Sequence, residues 1–187
     1  MQVAAKTLFL VCLFILISFA AANLSAQGLS INNAVKSKQL DFMVGDWKVD
    51  AKIRTSPTAF ITGSGTMAVH FDKENLLAKM KIKFENFEVN GTTKRIFDKA
   101  KDRWDVSWLP DGQPPTLNID GKMLNGRFIE IDYGCDQRGA FIGRLVIYEI
   151  SNDHFLVRKD QLYDDGAIMK DIWLYEATRV KSKGGNQ

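Results

Sequence analysis

From Trp47 onward, apolar and polar residues alternate along the chain with a period of two. Trp47, Val49, Ala51 and Ile53 are separated by charged residues, which is typical of a strand with one buried face. The alternation recurs about nine or ten times, with turn residues about every 8–14 positions. Before it, Lys38–Val44 predicts a single helical turn, which Gly45 ends.

The turn signals predict how these strands are joined. Asn90-Gly91 predicts a two-residue hairpin turn, and Asp164–Gly166 predicts a later turn in a final meander. Thr58–Phe71 contains two glycines, so it is either two strands or one bent strand. Consecutive strands with short connections form an antiparallel meander. A two-sheet sandwich would need longer crossovers.

A meander of this length has to remove its two exposed edges, and closing on itself does so. We therefore predict an all-β fold, an antiparallel up-and-down meander that closes into a barrel of eight to ten strands. A barrel of about this size has room for one small ligand.

The first 26 residues have the features of a secretion signal. Lys6 is followed by the apolar run Leu8–Phe19 and then by small residues. The run is shorter than the roughly 20 residues that a membrane span needs. We expect residues 1–26 to be a signal peptide cleaved after Ala26, with cleavage after Ala22 as the alternative. The mature protein would be secreted or periplasmic and have no membrane span.

The remaining 161 residues suit one domain. We expect a flexible leader at 27–37, a lipocalin-like barrel domain at 38–180 and a disordered tail at 181–187. The whole chain is 45% hydrophobic and 25% charged, which is ordinary globular usage. After signal cleavage Cys135 is the only cysteine, so an internal disulfide is excluded.

The charge pattern does not favour nucleic acid as a partner. The formal net charge of the full chain is only +3. Lys79, Lys81 and Lys83 alternate with apolar residues, so they predict the solvated face of a strand rather than a track for phosphates.

Gly45-Asp46-Trp47 opens the first strand, and Arg179 lies near the end of the last. This arrangement resembles the calycin superfamily, which includes lipocalins and fatty-acid-binding proteins. Leu40–Trp47 is similar to the opening of the secreted bacterial proteins grouped as domain of unknown function 1579. The resemblance covers residues 38–180 and implies a lipocalin-like barrel. It also implies that Arg179 packs across the Trp47 ring at the closed end, as a structural pair.

Candidate catalytic or metal-binding groups are few. The two histidines, His70 and His154, are far apart in sequence, and no cluster has the spacing of a zinc site. Haem-binding nitrobindin barrels resemble this fold, but Ala167–Val180 contains no histidine. The acidic residues around Asp164–Gly166 are interpreted as a solvated turn rather than a calcium site. We expect no metal and no cofactor, and no residue is assigned a catalytic role.

Aromatic residues on the strands either fill the barrel or line a cavity. The second interpretation favours a secreted barrel that binds a small hydrophobic or amphipathic molecule without turning it over. An enzyme that uses the cavity as a reaction chamber and a filled-barrel interaction module are the alternatives. The expected ligand contacts are Trp104, Trp108, Phe84, Tyr148, Arg158 and Trp173.

Overall fold

The computed structural model of the chain describes residues 38–181. The predicted signal peptide 1–26, the leader 27–37 and residues 182–187 of the tail lie outside the described residues. The chain divides into Met1–Gln39 and a compact unit Leu40–Gln187, and the second unit contains the barrel. Within the described range, no helix combines the length and the hydropathy that crossing a membrane requires.

Residues 38–181 form one short 3-10 helix, Lys38–Met43, and ten strands. The helix confirms the predicted turn. The strands are β1 (Gly45–Arg54), β2 (Phe60–Asp72), β3 (Asn75–Phe84), β4 (Glu88–Asp98), β5 (Arg103–Pro110), β6 (Thr116–Leu124), β7 (Arg127–Asp136), β8 (Gly139–Tyr148), β9 (His154–Tyr163) and β10 (Ile168–Arg179).

Each strand pairs antiparallel with the next, and β10 pairs with β1, so the sheet closes into a barrel. The predicted all-β, up-and-down barrel is confirmed, at the upper end of the expected strand number. The segment with two glycines, which was predicted as two strands or one bent strand, is the single strand β2.

Because the strands run alternately up and down, their connections lie at two ends. We call the end with the 3-10 helix and the start of β1 the closed end, and the opposite end, with the β1–β2 and β5–β6 connections, the open end. The half of the barrel next to the closed end is called the closed half, and the half next to the open end is called the open half. At the closed end, the guanidinium carbon of Arg179 lies 4.2 Å from the ring centre of Trp47.

Arg179 ties the chain ahead of β1 to the barrel. Its Nη1 and Nη2 donate to the carbonyl oxygens of Val44 and Phe42, over 2.6 and 2.8 Å. The indole Nε1 of Trp47 donates to the carbonyl of Met43, over 2.7 Å. These bonds satisfy carbonyls in the last turn of the 3-10 helix and just after it, so the arginine and the indole together cover this end.

The closed half is filled by side chains that are completely or almost completely buried. The rings of Trp47 and Phe155 meet edge to face, with centres 4.8 Å apart, and Trp104 meets Phe128 in the same way at 6.4 Å. Full burial of a large apolar side chain stabilises a fold by about 1.5–3 kcal/mol. The fully buried large residues include Trp47, Trp104, Phe128, Phe155, Leu40 and Met43.

The prediction of a hairpin turn at Asn90-Gly91 is wrong. Both residues lie inside β4, and the turn comes before it, where the Phe84 N–H donates to the Phe87 carbonyl over 2.9 Å. A Cβ on Gly91 would lie 2.7 Å from the Trp108 ring and 2.7 Å from the Leu109 carbonyl oxygen. The glycine therefore allows a close approach inside the barrel, which sequence alone does not distinguish from a turn.

Candidate functional site

The open half of the barrel contains a cavity of about 300 Å³ that is partly open to solvent. It is lined by residues from eight consecutive strands, β3 to β10. Its volume lies at the small end of the range for ligand pockets, about 300–1,000 Å³. The apolar part of the wall consists of Met80, Val89, Ile119, Leu145, Trp108 and Trp173.

The two tryptophans of the cavity stand on opposite walls. Trp108 is on β5 and Trp173 is on β10, which are five strands apart in either direction around the ring of ten. The Trp173 ring is supported by Phe84 and Tyr175, with ring centres 6.0 and 6.2 Å away. A flat molecule in the cavity therefore meets indole rings from two sides.

An irregularity in β10 places Trp173. The pairing of β10 with β9 shifts register between Met169 and Trp173, and Asp171 has a φ of 56°. Two bonds hold this bulge: the Asp171 N–H donates to Asp160 Oδ1 over 3.0 Å, and Arg54 Nε donates to the Lys170 carbonyl over 2.8 Å. Bulges re-aim side chains in this way beside binding sites.

Asp160, which anchors the bulge, is a buried carboxylate with cationic partners. It is 7% exposed, and Arg144 Nη2 donates to its Oδ2 over 3.0 Å. Burial acts to raise the pKa of Asp160, but the Asp171 N–H, the Arg144 side chain and the charge of Arg158 outweigh it and hold this pKa below its usual value. Asp160 is therefore ionised near neutral pH.

The first charged pair of the cavity is Arg95 and Glu130. Both Nε and Nη2 of Arg95 donate to Glu130 Oε1, over 2.8 and 2.7 Å, and both side chains are about 95% buried. Arg95 is on β4 and Glu130 is on β7, so the ion pair reaches across the inner faces of β5 and β6, which lie between those two strands. Nη1 of Arg95 is also buried but has no hydrogen-bond partner among the described residues.

The second charged pair is Lys159 and Asp132, joined over 2.9 Å from Nζ to Oδ2. They are on β9 and β7, with β8 between them. Gly143 of β8 pairs with Asp132, and a Cβ there would overlap the Asp132 carboxylate. The absence of a side chain at 143 therefore lets this ion pair cross β8.

Tyr175 adds a phenol to the cavity wall. Burial raises the pKa of its hydroxyl far above the usual value, the charge of Arg95 opposes this, and that of Glu130 adds to it. The hydroxyl therefore stays protonated, and it can donate a hydrogen bond but cannot act as a base.

The sequence-predicted contact residues fall into three groups. Trp108 and Trp173 line the cavity. Trp104 and Phe84 are buried in the packed interior, and Phe84 supports Trp173 from outside the cavity. Tyr148 lines a groove on the outer surface of the barrel.

Arg158, the remaining predicted contact, also lies away from the cavity. Its position on β9 faces outward, since the neighbouring Val157 and Lys159 face the interior. Its guanidinium is 3.7 Å from Asp160 Oδ2, so it contributes to the site only through the carboxylate that holds the bulge.

Sequence reasoning missed the four charged residues of the cavity, Arg95, Glu130, Asp132 and Lys159. The feature that could have identified them is their position at inward-facing sites of the apolar–polar alternation. Glu130 and Asp132 follow Phe128 at inward positions of β7, and Lys159 follows Val157 on β9. A charge at an inward position is costly unless it is paired, so such positions are candidates for a binding site.

The residues of the cavity offer apolar surface, donors and balanced charge. Two cations and two anions line it, and they neutralise each other in pairs. Among residues 38–181 no group of three or more His, Cys, Asp or Glu side chains is placed to hold a metal ion. The arrangement suits the binding of a mostly apolar molecule with a hydrogen-bond acceptor.

The chain matches no protein-family model and no curated protein. Among solved structures it is similar to the S-type phycobiliprotein lyase CPES from Guillardia theta, at 12% identity and a TM-score of 0.57, covering 80% of this chain and 98% of that one. A DUF3598-family protein of unknown function from Nostoc punctiforme PCC 73102 matches at 16% identity and a TM-score of 0.48, over 75% of this chain and 49% of that one. Likeness at this identity shows the fold alone, and the fold is a lipocalin-like barrel.

Proposed function

We propose that the protein is a secreted lipocalin-like binding protein that holds a small amphipathic molecule in the cavity of the open half. The observation that carries this is a largely apolar cavity with Trp108 and Trp173 on opposite walls and a charged donor, Lys159, whose side chain is 26% exposed. The ammonium of Lys159 bonds Asp132 and has further N–H groups to donate. A ligand with an acceptor group can take up one of them.

The apolar wall supplies the rest of the affinity. Covering about 200 Å² of ligand surface contributes about 5 kcal/mol at about 25 cal/mol per Å². A hydrogen bond to a charged donor adds about 1.5–3 kcal/mol. The sum is about 6.5–8 kcal/mol before the entropy lost on association is subtracted, so micromolar binding is the upper limit of affinity.

Export and family membership are part of the same proposal. The n-region and apolar run of residues 1–26 support a signal peptide, and Leu40–Trp47 supports kinship with the secreted domain-of-unknown-function-1579 proteins. N-terminal sequencing of exported material should give Gln27 as the first residue. Full-length protein retained in the inner membrane would contradict export.

Native mass spectrometry of protein purified from its own host tests the binding function. The wild type should carry an additional mass that is released by denaturation. Leu145→Trp should lose it, because Leu145 lines the cavity and the larger ring fills the space. Ile142→Trp is the matched control, since Ile142 lies on the same strand but is exposed on the outer face.

The outcomes separate binding from the alternatives. An adduct in the wild type and in Ile142→Trp but not in Leu145→Trp supports the cavity as the binding site. An adduct that survives Leu145→Trp places the ligand elsewhere. Chemical change of the co-purified molecule on incubation with fresh protein would favour the enzyme over the carrier.

A further inference from the structure

Four exposed, largely apolar side chains form a continuous row across the outer face of the barrel, near the open end. They are Tyr133 on β7, Ile142 on β8, Leu162 on β9 and Ile168 on β10, and we call them the outer row. Each lies directly opposite the next in the strand pairing. Their exposed fractions are 68%, 41%, 43% and 60%, in that order. The row is therefore one surface and not four isolated residues.

The outer row differs from the outer face of other strands, which is charged. On β3, for example, Lys79, Lys81 and Lys83 point to solvent. A contiguous exposed apolar patch marks an interaction surface, whereas scattered exposed residues do not. The outer row exposes about as much surface as two fully exposed large side chains, roughly 400 Å². This is about half of the roughly 800 Å² that one partner contributes to a standard interface, so polar surface around the row has to supply the rest.

The flank of the outer row that faces the closed half is cationic. Arg144 is two positions from Ile142 on β8, and Arg158 is four positions from Leu162 on β9, so both lie on the outward side. Their side chains are 52% and 41% exposed, and they share one carboxylate, the buried Asp160. Two cations and one anion give this flank a net positive charge.

The flank toward the open end is anionic. It consists of the end of β7 and the β7–β8 and β9–β10 turns, in which Asp136, Asp164 and Asp165 are exposed. Arg138 is also in these turns, and its Nη2 lies 3.1 Å from Asp165 Oδ2. Three carboxylates and one guanidinium give this flank a net negative charge.

We propose that the outer row is the centre of a symmetric interface between two copies of this chain. A two-fold axis that runs along the row sets each of its four residues against its own copy. The same axis brings the cationic flank of one protomer onto the anionic flank of its partner, so charges attract at both edges of the interface. A membrane with anionic lipids would instead meet the acidic turns and repel them. The row lies outside the barrel, so dimer formation does not depend on a ligand in the cavity.

Sedimentation velocity on protein purified from its own host measures the oligomeric state. The wild type should sediment as a dimer at about 50 μM, because interfaces of standard size bind with micromolar affinity or better. Leu162→Glu should raise the dimer dissociation constant about 100-fold, since two-fold symmetry buries two like charges close together. Leu124→Glu is the matched control and should remain a dimer, because Leu124 is 54% exposed on β6 at the closed end, away from the outer row.

Cross-linking tests the position of the axis. Ile168→Cys, made together with Cys135→Ser, places one exposed thiol in the outer row of each protomer. Because the axis runs along the row, the two thiols face each other, and a short bismaleimide should join the protomers covalently. Leu124→Cys with Cys135→Ser is the matched control, and the same reagent should leave its protomers separate on a denaturing gel.

The outcomes decide between a second copy and other occupants. A wild type that is monomeric at this concentration overturns the inference, and its co-sedimentation with anionic vesicles would assign the outer row to a membrane surface. A dimer that Leu162→Glu leaves intact, or that Leu124→Glu disrupts equally, has its interface elsewhere and also overturns it. If Leu162→Glu does not fold, cross-linking decides: a covalent dimer from Ile168→Cys but not from Leu124→Cys supports the inference, and no covalent dimer from Ile168→Cys contradicts it.

Discussion

The two halves of this barrel are built from the same ten strands but differ in what their inward positions carry. In the closed half those positions hold apolar side chains, including the completely buried Trp47 and the almost completely buried Trp104. In the open half they hold two ion pairs and the half-buried Trp108 and Trp173 around a cavity. Both halves thus use two tryptophans, in one case for packing and in the other to line a space.

This difference shows how the molecule divides its tasks. Buried apolar surface stabilises a fold, whereas a buried ion pair contributes little net stability because desolvation offsets the attraction. The open half therefore forgoes stability that apolar residues would provide at the same positions. What it gains is a set of oriented donors in a largely apolar space, which is what ligand recognition requires.

The largest effect is expected from Trp47→Ala. It should lower the free energy of unfolding by about 3–5 kcal/mol, because the ring is completely buried and packs on Phe155. Trp173→Ala should cost about 1–2 kcal/mol, because one side of its ring already faces a cavity. Urea unfolding of both variants measures the two losses in the free energy of unfolding. Equal losses would contradict the difference in packing between the two halves.

Arg95→Met should be costly for a different reason. It leaves the Glu130 carboxylate buried without its partner, which should lower the free energy of unfolding by about 3 kcal/mol. Replacing both residues by Met should recover most of this loss. The same unfolding assay checks it, with Arg127→Met as control, since Arg127 is exposed at the start of β7. A double variant no more stable than Arg95→Met would show that the cost is not an unpaired charge.

A smaller effect is the coupling between Trp47 and Arg179. Their contact at 4.2 Å predicts a coupling free energy of about 0.5–2 kcal/mol in a double-mutant cycle. The cycle compares Trp47→Ala, Arg179→Ala and the double variant by urea unfolding. Strictly additive losses would mean that the stacked pair does not contribute to closing the barrel.

The smallest effect is a pH dependence from Asp160. Its pKa is lowered in the folded protein, so the carboxylate contributes stability above the unfolded value of about 4, and this is lost as pH falls through the folded value. Asp160→Asn should be less stable than the wild type at pH 7, and the difference should shrink below about pH 4. Urea midpoints across this range measure it. If the difference in stability between Asp160→Asn and the wild type did not change with pH, the charge of Asp160 would not be what holds the bulge.

Alternation along the strands is sufficient to predict the barrel, because inward and outward positions follow from local sequence. Depth along the barrel is not predictable in the same way. Trp104 and Trp108 share one face of β5, yet one is in the closed core and the other lines the cavity. Likewise, Arg95 and Glu130 lie 35 residues apart, so nothing local indicates that each neutralises the other.

The central claim is that ligand binding belongs to the open half, and the four indole N–H resonances test it most directly. The chain has four tryptophans, two in each half. Proton–nitrogen spectra, assigned with single Trp→Phe variants, should be recorded as 2-acetylnaphthalene is added. The resonances of Trp108 and Trp173 should shift and saturate together, while those of Trp47 and Trp104 stay in place. Shifts confined to Trp47 and Trp104, or no saturable shift at Trp108 and Trp173, would contradict the account.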